Sequence, residues 1–496
     1  MRDVEYDVVV VGAGNAALCA ALSACEQGAR VLVLERAPVD QRGGNSAYTA
    51  GGFRMVHHGL EDIRNFVPDL SDEEIASTDF GEYTAEKFFD DLGQATQYRC
   101  DPDLTEILVR RSNETALWLR QQGVRFIPRY GDQALKHGGR FKFFGSPIGA
   151  NGAGRGLVDA EFKAAEQRGI TIQYNTRAMS LLCGPRGVEG VRVSANRVEQ
   201  DIHARAVVLA CGGFEANREW RTRYLGPGWD LAKVRGTRYN TGDGIRMALE
   251  AGAQPCGNWS GAHACEWDFN APEFGNRDVG DQYGKHSYPL GIMVNANGVR
   301  FLDEGADIAT LTYAKYGRII LEQPGQLAWQ IFDSKVLHLL RRMYRIKQVT
   351  KVTADTLEAL VAKLDGVNGN NALDTIRQFN ASVRGDVPFN PNGKDGRGTT
   401  GLVIPKSNWA NAIDTPPFEA YAVTCGITFT FGGIKISTRA EVVDIDDQPI
   451  PGLFAAGEMV GGIFYFNYPG GSGLTSGAVF GKIAGASAAG YVADLR

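Results

Sequence analysis

The 496-residue chain lacks the patterns that mark several classes of protein. Its lysines and arginines form no basic arm and the formal net charge is −5, which argues against a nucleic-acid partner. No apolar stretch approaches the length of a membrane span. The eight cysteines include no C-x-x-C pair, so we expect neither a zinc nor an iron–sulfur site, and no other metal site.

We expect no signal peptide, because an apolar strand is predicted to begin at about Tyr6. Several cysteines lie in apolar runs and are expected to be buried free thiols rather than a disulfide framework. We therefore expect a reducing, cytoplasmic compartment. The length suits two or three domains, and an apolar share of 44% allows a large core.

The first forty residues carry a dinucleotide-binding pattern. An apolar run over Tyr6–Val11 predicts a strand buried on both faces of a parallel sheet. The turn GAGNAA follows, then an Ala-rich helical stretch to Gln27 and a second apolar strand, Val31–Leu34, which ends at Glu35. This order of strand, turn, helix, strand and acid is the context that the G-x-G-x-x-A fingerprint requires.

Each residue type in the fingerprint has a physical purpose. Gly12 allows the tight turn, and Gly14 lets the backbone approach a pyrophosphate at the helix N-terminus. Ala17 is small enough for the helix to pack on the sheet, and Glu35 can accept hydrogen bonds from the adenosine ribose. The adjacent positions expected to line the same site are Asn15, Ala16 and Arg36.

Further glycine pairs favour FAD over NAD. Gly43-Gly44-Asn45-Ser46 and Gly51-Gly52 follow the acid, and late in the chain a short strand stops at Gly457-Glu458. Two distant segments that end in glycines suggest one long cofactor laid across the whole sheet, and FAD is such a ligand.

These motifs, in this order, resemble the FAD-dependent fumarate reductase/succinate dehydrogenase flavoprotein superfamily. The matching segments beyond the fingerprint are Arg42–Ser46, Ala206–Gly213, Thr241–Gly244, Asn297–Phe301 with Glu304, Gly432-Gly433 and Gly457-Glu458. The tail NYPGGSGL, Asn467–Leu474, is most similar to tricarballylate dehydrogenases and also resembles 3-ketosteroid dehydrogenases.

The resemblance implies an α/β fold with two parts. A Rossmann-like FAD-binding domain of the glutathione-reductase type is assembled from both chain ends, residues 1–235 and 356–496. An α+β capping domain, residues 236–355, is inserted between them. The active site is then expected between the cap and the flavin, since clefts between domains are common ligand sites.

The resemblance also implies the flavin contacts. Glu458 would bind the ribityl chain, and Asn45 and Ser46 would lie near the ring. Since Gly44-Asn45-Ser46 contains no histidine, we expect FAD to be non-covalent, unlike the histidyl flavin of membrane-bound succinate dehydrogenases. The other expected cofactor contacts are Ala210, Gly212, Asp243, Ser472, Gly473 and Leu474. The alternative for Asp243, in Thr241–Gly244, is that it fixes a turn by an N-cap or Asx bond.

Three departures from the family shift the expected chemistry away from fumarate reduction. No arginine follows Ile331-Phe332-Asp333 at once, and Thr428–Phe431 contains no histidine. Tyr468 stands where an arginine would clamp a carboxylate. Desaturation beside a carbonyl needs a base, a hydride acceptor and a donor to the enolate oxygen. Tyr468 could donate to that oxygen or take the proton; the alternative is an aromatic wall.

The other candidate catalytic residues are basic. His263 is expected to bind substrate, as a histidine in this part of the cap does in the superfamily; the alternative is a satisfied core histidine. Arg300 forms with Glu304 either a proton path or a structural ion pair. Arg341 or its neighbour Arg342 could hold a carboxylate with a bidentate fork, unless both are solvated.

We therefore predict a FAD-dependent oxidoreductase acting on CH–CH bonds, which desaturates a small (poly)carboxylate such as tricarballylate. One alternative is a ketone or enone (ketosteroid-type) dehydrogenase or reductase that uses Tyr468. A second alternative is an electron-transferring flavoprotein subunit of a redox complex. The expected partners are a small-molecule substrate and a separate electron acceptor, either an iron–sulfur or haem protein or a quinone.

Overall fold

The computed structural model describes residues 6–131, 134–137, 139–143 and 147–495. Its strands are β1 (Tyr6–Val11), β2 (Val31–Leu34), β3 (Thr78–Asp79), β4 (Phe126–Pro128), β5 (Ala134–His137), β6 (Arg140–Phe143), β7 (Ile148–Ala150), β8 (Thr171–Gln173), β9 (Thr176–Gly184), β10 (Gly187–Ala195), β11 (Val198–Leu209), β12 (Lys233–Val234), β13 (Pro255–Asp268), β14 (Ile292–Asn295), β15 (Ala328–Phe332), β16 (Lys351–Ala354), β17 (Phe418–Ile434), β18 (Glu441–Val443) and β19 (Pro449–Ala455).

The α-helices of the described residues are α1 (Asn15–Glu26), α2 (Leu60–Phe66), α3 (Asp72–Ser77), α4 (Ala85–Thr96), α5 (Pro102–Gln121), α6 (Ala153–Gln167), α7 (Arg218–Trp220), α8 (Asp243–Glu250), α9 (Ala309–Leu321), α10 (Ser334–Leu337), α11 (Leu357–Val361), α12 (Gly369–Ser382) and α13 (Ser472–Asp494). Within this part of the chain, no helix is both long and apolar enough to cross a bilayer.

The first sheet joins the two ends of the chain. Its order is β18-β19-β11-β1-β2-β8, with β10 paired to β11 and β9 paired to β10. The central strands run parallel: β1 lies between β2 and β11, and β11 pairs with β19. The β-branched valines of β1 are buried, as expected for a strand covered on both faces. The α/β fold and the assembly of the FAD domain from both chain ends are confirmed.

The second sheet is built around the long strand β17. Its order is β12-β17-β15-β14, and β13 and β16 also pair with β17. Helices α11 and α12 cover it with a separate core that includes Trp329, Leu360, Ile376 and Phe379. The predicted division at residues 355 and 356 falls within this layer, because α11, α12 and β17 all come after it.

The two sheets meet where β17 ends. Ile434, its last residue, forms a parallel bridge with Val460, shortly after the Gly457-Glu458 pair. The C-terminal half of β17 therefore runs alongside the segment that follows β19. This junction brings residues of the second sheet to the carboxyl ends of the parallel strands, where ligands bind in open α/β sheets.

Helices α1 and α13 pack against each other with almost no side chain between them. A Cβ at Gly481 would lie 2.4 Å from the carbonyl oxygen of Ala16, and one at Gly485 would lie 2.1 Å from that of Ala20. The side-chain amide of Asn15 donates to the carbonyl of Leu474 at 2.9 Å. The contacts advance in the same direction along both helices, so both N-termini lie at one end of the pair.

Gly485→Ala tests this close packing. The added methyl group meets the backbone of α1, and such overpacking costs about 1–3 kcal/mol, so we expect a lower thermal unfolding midpoint. Gly490→Ala on the same helix is the control, since its Cβ meets nothing within 4 Å and alanine is the better helix former. Equal unfolding midpoints for the two variants would show that the contact between α1 and α13 does not require glycine at position 485.

Candidate active site

One elongated cavity lies at the junction of the two sheets. Its empty volume, open solvent included, is about 1790 Å³. Val11 and Leu34, the last residues of β1 and β2, line it, as do Ala210 and Gly457, which follow β11 and β19. The cavity therefore begins at the carboxyl edge of the parallel sheet, which is where dinucleotides bind in folds of this kind.

The fingerprint residues form one end of the cavity. Gly12 has a φ of +105° and a Cβ there would lie 2.5 Å from the carbonyl oxygen of Ala210, so only glycine fits this turn. Glu35 is buried, and its Oε1 accepts a hydrogen bond from the backbone of Ala37 at 2.7 Å. Burial raises the pKa of Glu35 to about 7. These contacts fit the adenosine and pyrophosphate part of FAD.

Asp243 organises two arginines at the same end. It accepts from Arg36 at 3.1 Å and from Arg177 at 2.7 and 2.8 Å. Asp243 is the first residue of α8, but the cap position is Gly242 and no side chain caps the helix. Its expected alternative use as a capping residue is therefore corrected: its carboxylate holds two guanidinium groups of the cavity wall.

The middle of the cavity fits the ribityl chain and the flavin ring. Asn45 donates to Glu215 at 2.6 Å and to the carbonyl of Thr428 at 2.8 Å. Glu458 accepts from the backbone and the hydroxyl of Thr430 at 2.8 and 3.1 Å. Burial raises the pKa values of Glu215 and Glu458. These bonds already orient the amide of Asn45 and the carboxyl groups of Glu215 and Glu458. The three groups can therefore form hydrogen bonds with hydroxyl groups of the cofactor.

Three rings meet at the far end of the cavity. Tyr313 on α9 donates its hydroxyl to that of Tyr468 at 2.9 Å, and burial raises the pKa values of both. The ring of His263 lies 4.9 Å from that of Tyr313 and 4.7 Å from that of Tyr468, between centroids. His263 is 1% exposed, and neither of its nitrogens has a partner among the described residues. Since unpaired buried nitrogens are costly, and since His263 lines the cavity, its ring is a candidate for contact with a ligand.

Among the described residues at this end, Arg235 is paired and Arg341 is not. Arg235 is buried and forms an ion pair with Asp281, and it also donates to the hydroxyl of Thr428 at 3.2 Å. Burial and the charge of Arg235 lower the pKa of His263 well below its usual range, so this histidine is neutral. Arg341 lines the cavity, and its guanidinium has no ion pair or hydrogen bond with any described residue.

Most of the residues predicted from sequence are brought together here. The predicted residues that line the cavity are Gly12, Gly14, Asn15, Ala16, Glu35, Arg36, Gly44, Asn45, Ser46, Gly51, Gly52, Ala210, Gly212, Asp243, His263, Arg341, Gly457, Glu458, Tyr468, Gly473 and Leu474. Ala17, Gly43 and Ser472 are neighbours of lining residues but are not themselves part of the wall.

Arg300 does not reach the cavity. Its side chain is buried in an ion pair with Glu304 and donates to the carbonyl of Ile404 at 2.7 Å. The guanidinium lies over the ring of Phe379, in the core of the second sheet. This position corrects the catalytic assignment of Arg300 and leaves the structural ion pair.

Several lining residues had no signal in the sequence. Tyr313 meets Tyr468 across 155 residues, and His286 comes from the segment between β13 and β14. Arg235 lies just before the Thr241-Gly242-Asp243 motif, which is the nearest local signal. These residues are assembled by the tertiary fold rather than by any local pattern.

Glu35→Gln tests the cofactor end of the cavity. Ribose hydroxyls donate to an ionised carboxylate, so the affinity of the apoprotein for FAD should rise from pH 6 to pH 8, through the Glu35 pKa of about 7. The Gln variant should bind about 10–100-fold more weakly at pH 8, without this pH dependence. Flavin fluorescence titration measures both. The exposed Asp40→Asn is the control, and a pH profile that persists in Glu35→Gln would refute the assignment.

Comparison with known proteins agrees with this site. Residues 7–474 match the family model described as FAD binding domain. A probable fumarate reductase of Shewanella frigidimarina (strain NCIMB 400) is 32% identical over an alignment of 504 residues, gaps included. The alignment covers 98% of this chain and 75% of the relative. The open conformation of a flavocytochrome c3 fumarate reductase superposes with a TM-score of 0.75 at 29% identity, covering 99% of this chain and 79% of that one.

A 3-ketosteroid Δ1-dehydrogenase from Sterolibacterium denitrificans shares the fold, with a TM-score of 0.74 at 21% identity over 99% of this chain and all of that one. The family match spans nearly the whole sequence and includes every part of the cavity from Gly12 to Leu474. The chain therefore belongs to the FAD-dependent fumarate reductase/succinate dehydrogenase flavoprotein superfamily, and it is a FAD-dependent oxidoreductase that acts on CH–CH bonds.

Proposed function

We propose that the chain interconverts the saturated and α,β-unsaturated forms of a small monocarboxylate. The observation that carries this proposal is Arg341, a guanidinium on the cavity wall without an anionic partner among the described residues. It shares the wall with His263 and Tyr468. A carboxylate is the group that a guanidinium binds best, because two parallel N–H donors match its two oxygens.

The charge of the wall favours one carboxylate over three. Arg235 is neutralised by Asp281, and burial holds His263 and His286 uncharged. A single carboxylate therefore meets an opposite charge at Arg341, whereas further carboxylates would be desolvated without one. The likeness of the tail to tricarballylate dehydrogenases suggests tricarballylate as the substrate. Because of the charge of the wall, we rank a monocarboxylate before it.

The residues of the far end have complementary roles. The flavin, when bound, accepts or returns a hydride equivalent at N5. Tyr313 donates to Tyr468, so the proton of Tyr468 is left to face the substrate oxygen on which negative charge develops. The raised pKa of Tyr468 keeps that proton in place. In desaturation His263, neutral and unpaired, accepts the proton of the α-carbon; in reduction its ring first takes a proton from solvent and then delivers that proton to the α-carbon.

We further propose that FAD is held without a covalent bond and that the chain works in the cytoplasm with a separate electron partner. Gly44, Asn45 and Ser46 offer no imidazole to the flavin. The partner is a haem protein, an iron–sulfur protein or a quinone. The support is that one relative of known structure is a flavocytochrome, of which this chain covers 79%.

A second candidate substrate is a neutral enone. The paired hydroxyls of Tyr313 and Tyr468 can polarise a ketone oxygen, and Phe429 is stacked parallel to Tyr468 at 6.2 Å as an apolar wall. The shared fold with a ketosteroid dehydrogenase supports this chemistry. In this case Arg341 would contribute nothing to binding, which separates the two candidates.

Arg341→Met provides the test, with crotonate as the monocarboxylate and 2-cyclohexenone as the neutral substrate. Reoxidation of the reduced flavin is followed anaerobically by stopped-flow absorbance. We expect crotonate to be reduced and its KM to rise about 10–100-fold in the variant with a smaller change in kcat, since a hydrogen bond to a charged group is lost.

Arg342→Met is the matched control, because Arg342 is exposed and outside the cavity wall. Its KM for crotonate should stay within about twofold of the parent value. An unchanged KM in Arg341→Met would rule out the carboxylate proposal. Turnover of cyclohexenone alone, abolished by Tyr468→Phe, would establish the second candidate instead.

A further inference from the structure

His286 is a buried residue at the far end of the cavity whose contacts the proposed reaction has not yet used. It is 5% exposed and lines the cavity, and its ring lies 5.0 Å from that of Tyr313. Its Nδ1 lies 3.2 Å from Oε2 of Glu266, whereas its Nε2 has no partner among the described residues. One ring nitrogen therefore has a protein partner, and the other has none among the described residues.

Glu266 determines which nitrogen of His286 carries the hydrogen. It lies on β13, is fully buried, and burial raises its pKa well above the usual range. A protonated carboxyl group donates its O–H to Nδ1, which leaves the hydrogen of the neutral imidazole on Nε2. Burial and the charges of Arg235 and Arg341 lower the pKa of His286 well below its usual value, so the ring stays neutral.

Arg341 is tied to the same segment as His286. The backbone N–H of Arg341 donates to the hydroxyl of Ser287 at 3.1 Å, and the backbone N–H of Ser287 donates to the hydroxyl of Tyr344 at 2.9 Å. These bonds hold the two segments side by side. His286 and Arg341 therefore line the same end of the cavity, one with a neutral N–H donor and the other with an unpaired cation.

We propose that Nε2–H of His286 and the guanidinium of Arg341 together form the binding site for the substrate carboxylate, with Glu266 as a positioning residue that fixes the tautomer of His286. This inference rests on the proposed function, because it names the atoms that receive its carboxylate. A neutral donor beside one cation lets the site bind a single anion without burying a second cation. Glu266 does not line the cavity and acts only through His286.

Acetate and acetamide are the probes for this site. Acetate has a carboxylate but no β-carbon, so it can bind without being oxidised, and acetamide is its neutral analogue. Binding to the oxidised holoenzyme is measured from the perturbation of the flavin absorbance spectrum. We expect the parent enzyme to bind acetate more tightly than acetamide.

The His286 variants separate a donor from a packing role. His286→Leu should weaken acetate binding about 10–100-fold, the factor that corresponds to a hydrogen bond to a charged group. His286→Gln should stay within about threefold of the parent, because its amide N–H restores the donor. Unchanged binding in His286→Leu, or equal losses in both variants, would overturn the inference.

A double-mutant cycle tests whether Glu266 acts through His286. Glu266→Leu should weaken acetate binding about 3–10-fold in the parent, and less than about twofold when His286 is already leucine. Equal effects on both backgrounds would show that Glu266 has only a structural role and would overturn its assignment. The visible flavin spectrum and the unfolding midpoint of each variant verify that it is folded and loaded.

The outcomes also distinguish this inference from the proposed function. If Arg341→Met loses acetate and His286→Leu does not, the two-residue site is wrong while the monocarboxylate proposal stands. If the parent shows no preference for acetate over acetamide, the monocarboxylate proposal fails, and this site fails with it.

Discussion

The close contact between α1 and α13 is the constraint on which the rest of the site depends. Gly481 and Gly485 allow the C-terminal helix to approach the backbone of Ala16 and Ala20. Because the two helices run side by side in the same direction, their N-termini open into one cavity, where partial positive charge favours a phosphate or an electron-rich ring. Two segments more than 400 residues apart, joined by Asn15 and Leu474, thus form one cofactor site.

The second constraint is the neutralisation of buried charge. Asp243 holds Arg36 and Arg177 at the adenosine end, and Asp281 holds Arg235 at the other. Burial keeps the imidazoles of the wall, those of His263 and His286, uncharged. In a site of low dielectric constant, a cation that stays unpaired decides which ligand enters, because its attraction is weakly screened. The preference proposed for one carboxylate follows from this balance.

The parts of the site that sequence could predict are those fixed by backbone geometry. Gly12, Glu35 and Gly457-Glu458 follow strands, and their place at the carboxyl edge of a parallel sheet follows from strand order alone. Arg300 belonged to an equally clear motif, but its guanidinium turns into the core of the second sheet to meet Glu304. A local motif gives the position of a backbone segment and does not give the direction of a long side chain.

The remaining parts depend on long-range pairing. The second sheet takes β17 from residues beyond the predicted cap, because a long strand serves as the partner of β13, β15 and β16 at once. The pairing of Tyr313 with Tyr468 and of His286 with Glu266 arises only when α9, β13 and the C-terminal turn are packed together. No periodicity or spacing in the sequence carries such contacts.

The flavin content of the purified chain, before and after acid precipitation, tests the cofactor site most directly. If two helix N-termini from opposite ends of the chain hold one FAD through non-covalent contacts, as proposed, the purified protein carries FAD in a one-to-one ratio. Acid precipitation then releases the flavin into the soluble fraction and leaves a colourless protein pellet. A pellet that keeps the flavin, or a folded protein that binds no FAD, would contradict this account of the site.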